Sequence, residues 1–168
     1  MMLMSQRLCM DAPSMGDAEL FSKWLNSPTV VKYSELRHQK HSPESQRHYW
    51  TFQKPEIYYV IHIGDKPENP LGAISANIDF NNVANVSILI GKMYEWGRGY
   101  GFEAWECFCN YLIAEKKVRK IEAGCMAPNK GMNNICLKYG MRLEAVISKH
   151  FILDGKPTDM YLYGKIAR

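Results

Sequence analysis

The chain predicts an α/β (α+β) fold on a mixed sheet, and three observations carry that prediction. Short polar turns at Asn81-Asn82 and Asp154-Gly155 join apolar runs of strand length, which predicts local antiparallel hairpins. Apolar residues at Phe102, Trp105, Phe108, Cys109, Leu112 and Ile113 recur at helical spacing between two further strand-like runs, which predicts a crossover and parallel strands. A glycine-rich stretch separates the strand Val83–Ile90 from that helix. The order is β-α-α-β-β-β-α-β-α-β-β, without repeat, linker or low-complexity segment, so residues 1–168 read as one domain.

Each element has a local reason. Gln6–Met10 is a short first strand. Ser14 caps a helix over Met15–Leu25, whose Leu20, Phe21, Trp24 and Leu25 share a face, and Asn26-Ser27-Pro28 ends it. Ser42-Pro43-Glu44 opens a second helix with proline in its first turn. Tyr58–Ile63 is a strand, and Leu71–Phe80 and Val83–Ile90 form a hairpin. The long helix runs to about Lys116. Lys120–Met126 is a strand, Met132–Tyr139 a short helix, and Arg142–Leu153 a strand that turns into a last one ending near Ile166.

Gly91 to Ala104 is the most informative stretch. Glycines at 97, 99 and 101 lie where a strand passes into a helix. Backbone N–H groups at a helix N-terminus attract anions, glycine lets a ligand approach closely, and Arg98 adds a full positive charge. This combination predicts a phosphate cradle. The dinucleotide fingerprint does not fit, because the third glycine comes one residue early, and the Walker pattern is absent.

Composition narrows the partners. Apolar content of 46% and charged content of 23% are ordinary for a globular protein. A net charge of +4 suits an anionic small ligand and falls short of a nucleic-acid footprint. No apolar run is long enough to span a membrane. The opening Met1-Met2-Leu3-Met4 lacks the regions of a signal peptide, and five cysteines without metal-ligand spacing predict reduced thiols; the expectation is a cytoplasmic protein with no metal site.

The window Trp96-Gly97-Arg98-Gly99-Tyr100-Gly101 resembles the acetyl-CoA pyrophosphate loop of the GCN5-related N-acetyltransferase (GNAT) superfamily, Arg/Gln-x-x-Gly-x-Gly/Ala. The tryptophan at its first position is similar to the form used by the ribosomal-protein N-acetyltransferase branch. Asn129-Lys130-Gly131-Met132-Asn133-Asn134-Ile135-Cys136-Leu137-Lys138-Tyr139-Gly140-Met141 resembles the family's Asn-x-x-Ser-x3-Tyr-x-Lys-x-Gly-Phe, with Met132, Cys136 and Met141 replacing Ser, Tyr and Phe. Leu153–Met160 resembles the hairpin with which this branch closes.

The resemblance implies a mixed, mostly antiparallel sheet flanked by helices, with acetyl-CoA as co-substrate. It places Ile88, Leu89, Ile90 and Gly91 along the pantetheine arm in a gap between splayed strands. Gly97, Arg98, Gly99, Tyr100 and Gly101 would hold the pyrophosphate, and Asn129 the arm or the adenosine end. The usual base position falls on Asn85, which cannot take a proton. The usual acid position falls on Cys136, with Tyr139 one helical turn away as the alternative donor. Asp79, His62 and His150 are further candidate bases.

Between the first two helices, Tyr33-Ser34-Glu35-Leu36-Arg37-His38-Gln39-Lys40-His41 lies where family members shape the acceptor pocket. Tyr33, Arg37, His38 and Lys40 suit a phosphate-bearing acceptor, since Arg binds phosphate bidentately and Tyr stacks. Trp24-Leu25-Asn26-Ser27-Pro28 followed by this loop is similar to acetyltransferases that modify amino sugars for surface polysaccharides, and a nucleotide-linked amino sugar is the expected acceptor. Acetylation of a protein N-terminus and non-catalytic acyl-CoA binding stand as alternatives. The expected partners are a small amine and either no second subunit or one identical copy.

Overall fold

In the computed structural model, which describes residues 1–167, eight strands and four helices follow the predicted order with one addition at the start. The first strand is a pair: β1 (Leu3–Met4) and β2 (Leu8–Asp11) form a small antiparallel hairpin, closed where Ser5 N–H donates to the Leu8 carbonyl (2.9 Å). Then come α1 (Ala18–Leu25), α2 (Pro43–Phe52), β3 (Ile57–Ile63), β4 (Pro70–Ile78), β5 (Val83–Ile90) and α3 (Tyr100–Ala114). The chain ends with β6 (Lys120–Met126), α4 (Lys130–Lys138), β7 (Arg142–Leu153) and β8 (Lys156–Ile166). The sheet order is β1-β2-β3-β4-β5-β6-β8-β7.

The first crossover gives the expected parallel pair, β5 with β6. The second does not. The tight turn after β7 sends β8 back between β7 and β6, antiparallel to both, so β7 becomes the edge strand. A helix crossover sets the direction of the next strand but leaves the slot beside it open, and the following hairpin fills it.

Contacts divide the chain into two compact units, residues 1–76 with 87–108, and residues 77–86 with those from 109 onward. In the first, β1 to β4 pair antiparallel in sequence. Ser14 caps a 3₁₀ turn (Met15–Asp17) that leads into α1. Ser42 and Ser45 form a reciprocal capping box on α2, with Pro43 at its start, and so satisfy end groups a helix cannot pair internally. Phe21 and Trp24 of α1, Trp50 of α2, Val60 and Ala73 make one buried cluster. Phe21 sits 4.9 Å from the Trp24 ring and 5.1 Å, edge-on, from the Trp50 ring. His62 of β3 is buried, and its Nδ1 has no partner among the described residues; burial holds it below the ordinary imidazole range despite Asp17 and Asp11.

In the second unit, β6, β8 and β7 carry the sheet beside the start of β5. Asp79 Oδ1 accepts from the N–H groups of Asn81 and Val83, both at 2.9 Å, which shapes the β4–β5 turn. The β7–β8 register shifts between Ile147 and Phe151, where Lys149 adopts φ 52° and its N–H donates to Asp159 Oδ1 at 2.8 Å.

The end of β5 is fixed by a close approach. A Cβ at Gly91 would lie 2.0 Å from Cδ2 of Trp24, inside the ring that anchors α1 to the core. Gly91→Ala should therefore destabilise the fold by about 1–3 kcal/mol through overpacking. Denaturant unfolding measures this, and an unchanged midpoint would show that the Trp24 ring yields freely.

Candidate active site

β5 ends in the first unit with Ile88, Leu89 and Ile90 half-buried. Its ladder with β6 comprises Val83–Lys120, Ala84–Ile121 and Asn85–Glu122, so the strand runs five residues past its last pair with β6, from Val86 to Ile90. Two contacts hold that end. Gly91 N–H donates to the Leu71 carbonyl (2.9 Å), and the Trp96 indole Nε1–H donates to the Ile90 carbonyl (3.0 Å). The tryptophan that departs from the resembled loop pattern thus ties the loop back to the strand.

A 3₁₀ turn (Met93–Glu95) follows, then the glycines. Gly97 has φ 79° and Gly99 φ 82°, a region that L side chains rarely adopt. These two reversals swing the chain from strand to helix. The first intrahelical bond of α3 runs from Glu103 N–H to the Gly99 carbonyl (3.1 Å), so the preceding N–H groups lie at the helix end with its positive pole. A Cβ at Gly97 would meet nothing within 4 Å, so its surroundings are open. Arg98 pairs with Glu95 (3.2 Å) and remains largely exposed. The five positions from Gly97 to Gly101 thus lie together where the chain enters α3, two of them at positive φ.

Arg7 was not legible as part of this group. Its guanidinium lies 4.4 Å over the Tyr100 ring, its Nη1 donates to the Arg98 carbonyl (3.1 Å), and its Nε donates to Glu103 Oε2 (2.7 Å). Glu103 Oε1 also accepts from the Ser5 hydroxyl and from Arg7 N–H, each at 2.7 Å. Burial works to raise the Glu103 carboxyl, but these hydrogen bonds outweigh it and hold the group below its usual range. A lone arginine in a three-residue turn has no sequence signature. Glu103 carries only a weak one, an acid in the first turn of a helix.

The segment between α1 and α2 is an ordered turn. Ser34 Oγ accepts from Leu36 N–H (3.2 Å), capping a 3₁₀ turn over Glu35–His38. Arg37 Nη1 donates to the Ser34 carbonyl and to Glu35 Oε1, both at 2.8 Å, and His38 Nε2 lies 3.6 Å from Glu35 Oε2. Asn26 clips the far end, donating to the His41 carbonyl (2.7 Å) and accepting from His41 N–H (2.9 Å). Tyr33 is half-buried with Lys32 Nζ over its ring, while His38 and Lys40 are exposed. Glu35 thus partly neutralises the basic character read from the sequence.

In the second unit, Asn129 Oδ1 accepts from Met132 N–H (3.1 Å) and caps α4. Cys136 is fully buried, and burial pushes its thiol up to about 12. Tyr139, also buried, donates its hydroxyl to Asn110 Oδ1 (3.0 Å), while Lys165 Nζ lies 3.7 Å over its ring and donates to its carbonyl (2.6 Å). A second network centres on Asn133. Its Nδ2 donates to the carbonyls of Ala127 (3.0 Å) and Asn129 (2.8 Å), and its Oδ1 accepts from Tyr163 OH (2.6 Å) and the Cys125 thiol (3.5 Å). Burial raises the Cys125 thiol to about 11.

Among the alternative bases, His62 is buried and Asp79 is engaged in its turn. His150 is exposed on β7, edge-on to Phe151. Asn85 is exposed on β5. Among the described residues, no group of three or more His, Cys, Asp or Glu could hold a metal ion.

Tyr139 is buried, but Asn110, which accepts from its hydroxyl, is exposed, so removing the hydroxyl loses one hydrogen bond and leaves the Asn110 amide to water. Tyr139→Phe is expected to lower stability by about 0.5–1.5 kcal/mol while turnover at saturating substrates changes less than two-fold. Melting temperature and kcat decide together. An unchanged melting temperature with a large fall in kcat would restore Tyr139 to the reacting atoms.

Comparison with known proteins identifies the fold. No curated protein matches the chain by sequence. Among solved structures, an acetyltransferase of the GNAT family from Bacillus anthracis is similar at TM-score 0.85 and 20% identity, over 99% of each chain. RimL, a ribosomal alpha-N-protein acetyltransferase in complex with coenzyme A, is similar at TM-score 0.84 and 16% identity, over 99% of this chain and 98% of that one. Spermidine N-acetyltransferase from Vibrio cholerae, in complex with CoA and spermine, is similar at TM-score 0.83 and 16% identity, over 97% of each. These likenesses establish the fold. The profile of the acetyltransferase (GNAT) domain matches residues 7–142, from the arginine beside the glycine loop to the first residue of β7, and the chain therefore belongs to the GNAT acetyltransferase family.

Proposed function

We propose that this acetyltransferase moves the acetyl group of acetyl-CoA to the primary amine of a small, phosphate-bearing acceptor, a nucleotide-linked amino sugar fitting best. The observation that carries the cofactor half is the glycine loop itself: two positive-φ glycines opening a fifteen-residue helix, one short 3₁₀ turn after a strand that outruns its parallel ladder. Pantetheine along Ile88–Gly91, pyrophosphate at Gly97–Gly101 and a contact at Asn129 are the assignments that follow. Asn129 has its Oδ1 committed to α4, so its amide N–H₂ is the part available to a ligand.

The acceptor half rests on Tyr33, Arg37, His38 and Lys40. Lys40 is exposed and offers a cation, and Tyr33 offers a ring. Arg37, held by Ser34 and Glu35, shapes the turn that presents them. The microcin C7 self-immunity acetyltransferase MccE in complex with acetyl-CoA and AMP, similar at TM-score 0.79 and 21% identity over 96% of this chain and 93% of that one, offers an analogy for a nucleotide in such a fold.

In the reaction, the amine nitrogen attacks the thioester carbonyl carbon, an N–C bond forms, and the C–S bond breaks. The proton lost by the amine balances the thiolate that leaves. With Cys136 buried and Tyr139 engaged with Asn110, that proton passes through water or directly from the acceptor ammonium. Catalysis then consists mainly in holding two substrates in reacting geometry.

Acetyl-CoA at a hundred-fold excess over its Kd should stabilise the fold by about 2.7 kcal/mol, a rise in melting temperature of about 5 °C or more. Gly99→Asp should abolish the rise, because it sets a carboxylate against the pyrophosphate in a φ 82° position. No shift in the wild-type protein would refute cofactor binding.

Lys40→Ala, by losing a charge-assisted contact, should raise the acceptor KM about ten- to a hundred-fold, and Arg37→Ala, by loosening the turn that presents Lys40, should raise it too; both should leave acetyl-CoA affinity unchanged. Thiol release with nucleotide-linked amino sugars, polyamines and N-terminal peptides as acceptors reads this out. Turnover of peptides alone, with both variants matching wild type, would favour protein N-terminal acetylation instead.

A further inference from the structure

Glu103 presents a problem that Arg7 resolves. It lies in the first turn of α3, beside the N–H groups that attract an anion. A bare carboxylate there would compete with phosphate for the same positive pole. Instead, both its oxygens are engaged: Oε1 by the Ser5 hydroxyl and Arg7 N–H, Oε2 by Arg7 Nε, each at 2.7 Å. The pair is only partly exposed, with the Glu103 side chain at 16% and Arg7 at 43%.

The same guanidinium reaches the loop by three routes. Nη1 donates to the Arg98 carbonyl at 3.1 Å, in the peptide between the two positive-φ glycines. The Cζ lies 4.4 Å over the Tyr100 ring, the first residue of α3. Nη2 lies 3.5 Å from where a Cβ at Gly99 would stand, which is van der Waals contact distance. Arg is suited to this because its planar fork binds in several directions at once, which a lysine ammonium on a flexible stem does not reproduce.

We propose that Arg7 is a positioning residue for the pyrophosphate loop: braced on Glu103, it fixes the Arg98 carbonyl and the Tyr100 ring, and thereby the direction in which the loop's N–H groups face the cofactor. The inference rests on the reading of Gly97–Gly101 as that loop. It gives the β1–β2 hairpin a task, since Ser5 and Arg7 lie in the turn between those strands and hold the start of α3 from there. It also makes Glu103, a negative charge, favour the binding of an anion, which is the reverse of what charge alone dictates.

Calorimetric titration of acetyl-CoA into wild-type protein, Arg7→Gln, Arg7→Lys and Glu103→Gln tests it, with melting temperature as the folding control. Arg7→Gln is expected to weaken acetyl-CoA binding about ten-fold, as small displacements of a binding geometry do. Arg7→Lys should recover less than half of that loss, because it restores charge without the fork. Glu103→Gln should weaken binding several-fold, although it removes a negative charge. Tighter or unchanged binding by Glu103→Gln, or full recovery by Arg7→Lys, would overturn the proposal and leave Arg7 as a simple point charge. If Arg7→Gln does not fold, the other two variants carry the same decision. Failure of the wild-type protein to bind acetyl-CoA would instead sink the reading of the loop on which this rests.

Discussion

Two backbone reversals, at Gly97 and Gly99, are the constraint around which the candidate cofactor site is organised. They turn the chain out of β5 and into α3 with the helix end uncovered. Such a turn has little rigidity of its own, because glycine loses more conformational freedom on folding than any other residue. Its rigidity comes from both flanks. On the strand side, Trp24 fills the space above Gly91, and the Trp96 indole bonds the Ile90 carbonyl. On the helix side, Arg7 and Glu103 brace the loop from the β1–β2 turn. The glycines supply permission, and the tryptophans and the ion pair supply the single conformation.

The second unit shows a different use of polar groups. Tyr139 with Asn110, and Asn133 with Tyr163 and Cys125, are hydrogen-bonded groups in partly buried surroundings, each tying a buried side chain to a more exposed amide. Buried polar groups are costly alone and specify one packing when satisfied. Here they anchor α4 to its surroundings, with Lys165 closing over the Tyr139 ring. An enzyme with no exposed tyrosine at its expected acid position and an asparagine at its expected base position can still catalyse acetyl transfer, since a thioester and an amine need alignment more than they need strong acids or bases.

The loop between α1 and α2 illustrates how charge read along a sequence differs from charge in space. Arg37, His38 and Lys40 read as a basic cluster, but Glu35 lies within reach of the first two. Lys40 then carries most of the remaining positive charge in this turn, with His41 held to the Leu36 carbonyl at 3.0 Å. Such a turn recognises an anion through its exposed lysine and its shape more than through a diffuse field.

What the sequence alone determined is the set of local elements and the chemistry of the glycine loop. Periodicity placed α3, Ser42-Pro43 placed the start of α2, and Asn81-Asn82 and Asp154-Gly155 placed the hairpins, because each depends on contacts among residues a few positions apart. The glycine spacing was legible for the same reason: a positive φ is a property of one residue. Only the tertiary structure decided that β8 inserts between β6 and β7, that Arg7 meets Glu103 across 96 positions, and that Tyr139 pairs with Asn110 across 29. Those pairings belong to residues brought together by burial elsewhere in the chain. The hydrophobic effect that drives this burial is non-directional and does not by itself dictate which polar partners will meet; side-chain geometry selects them once the core has formed.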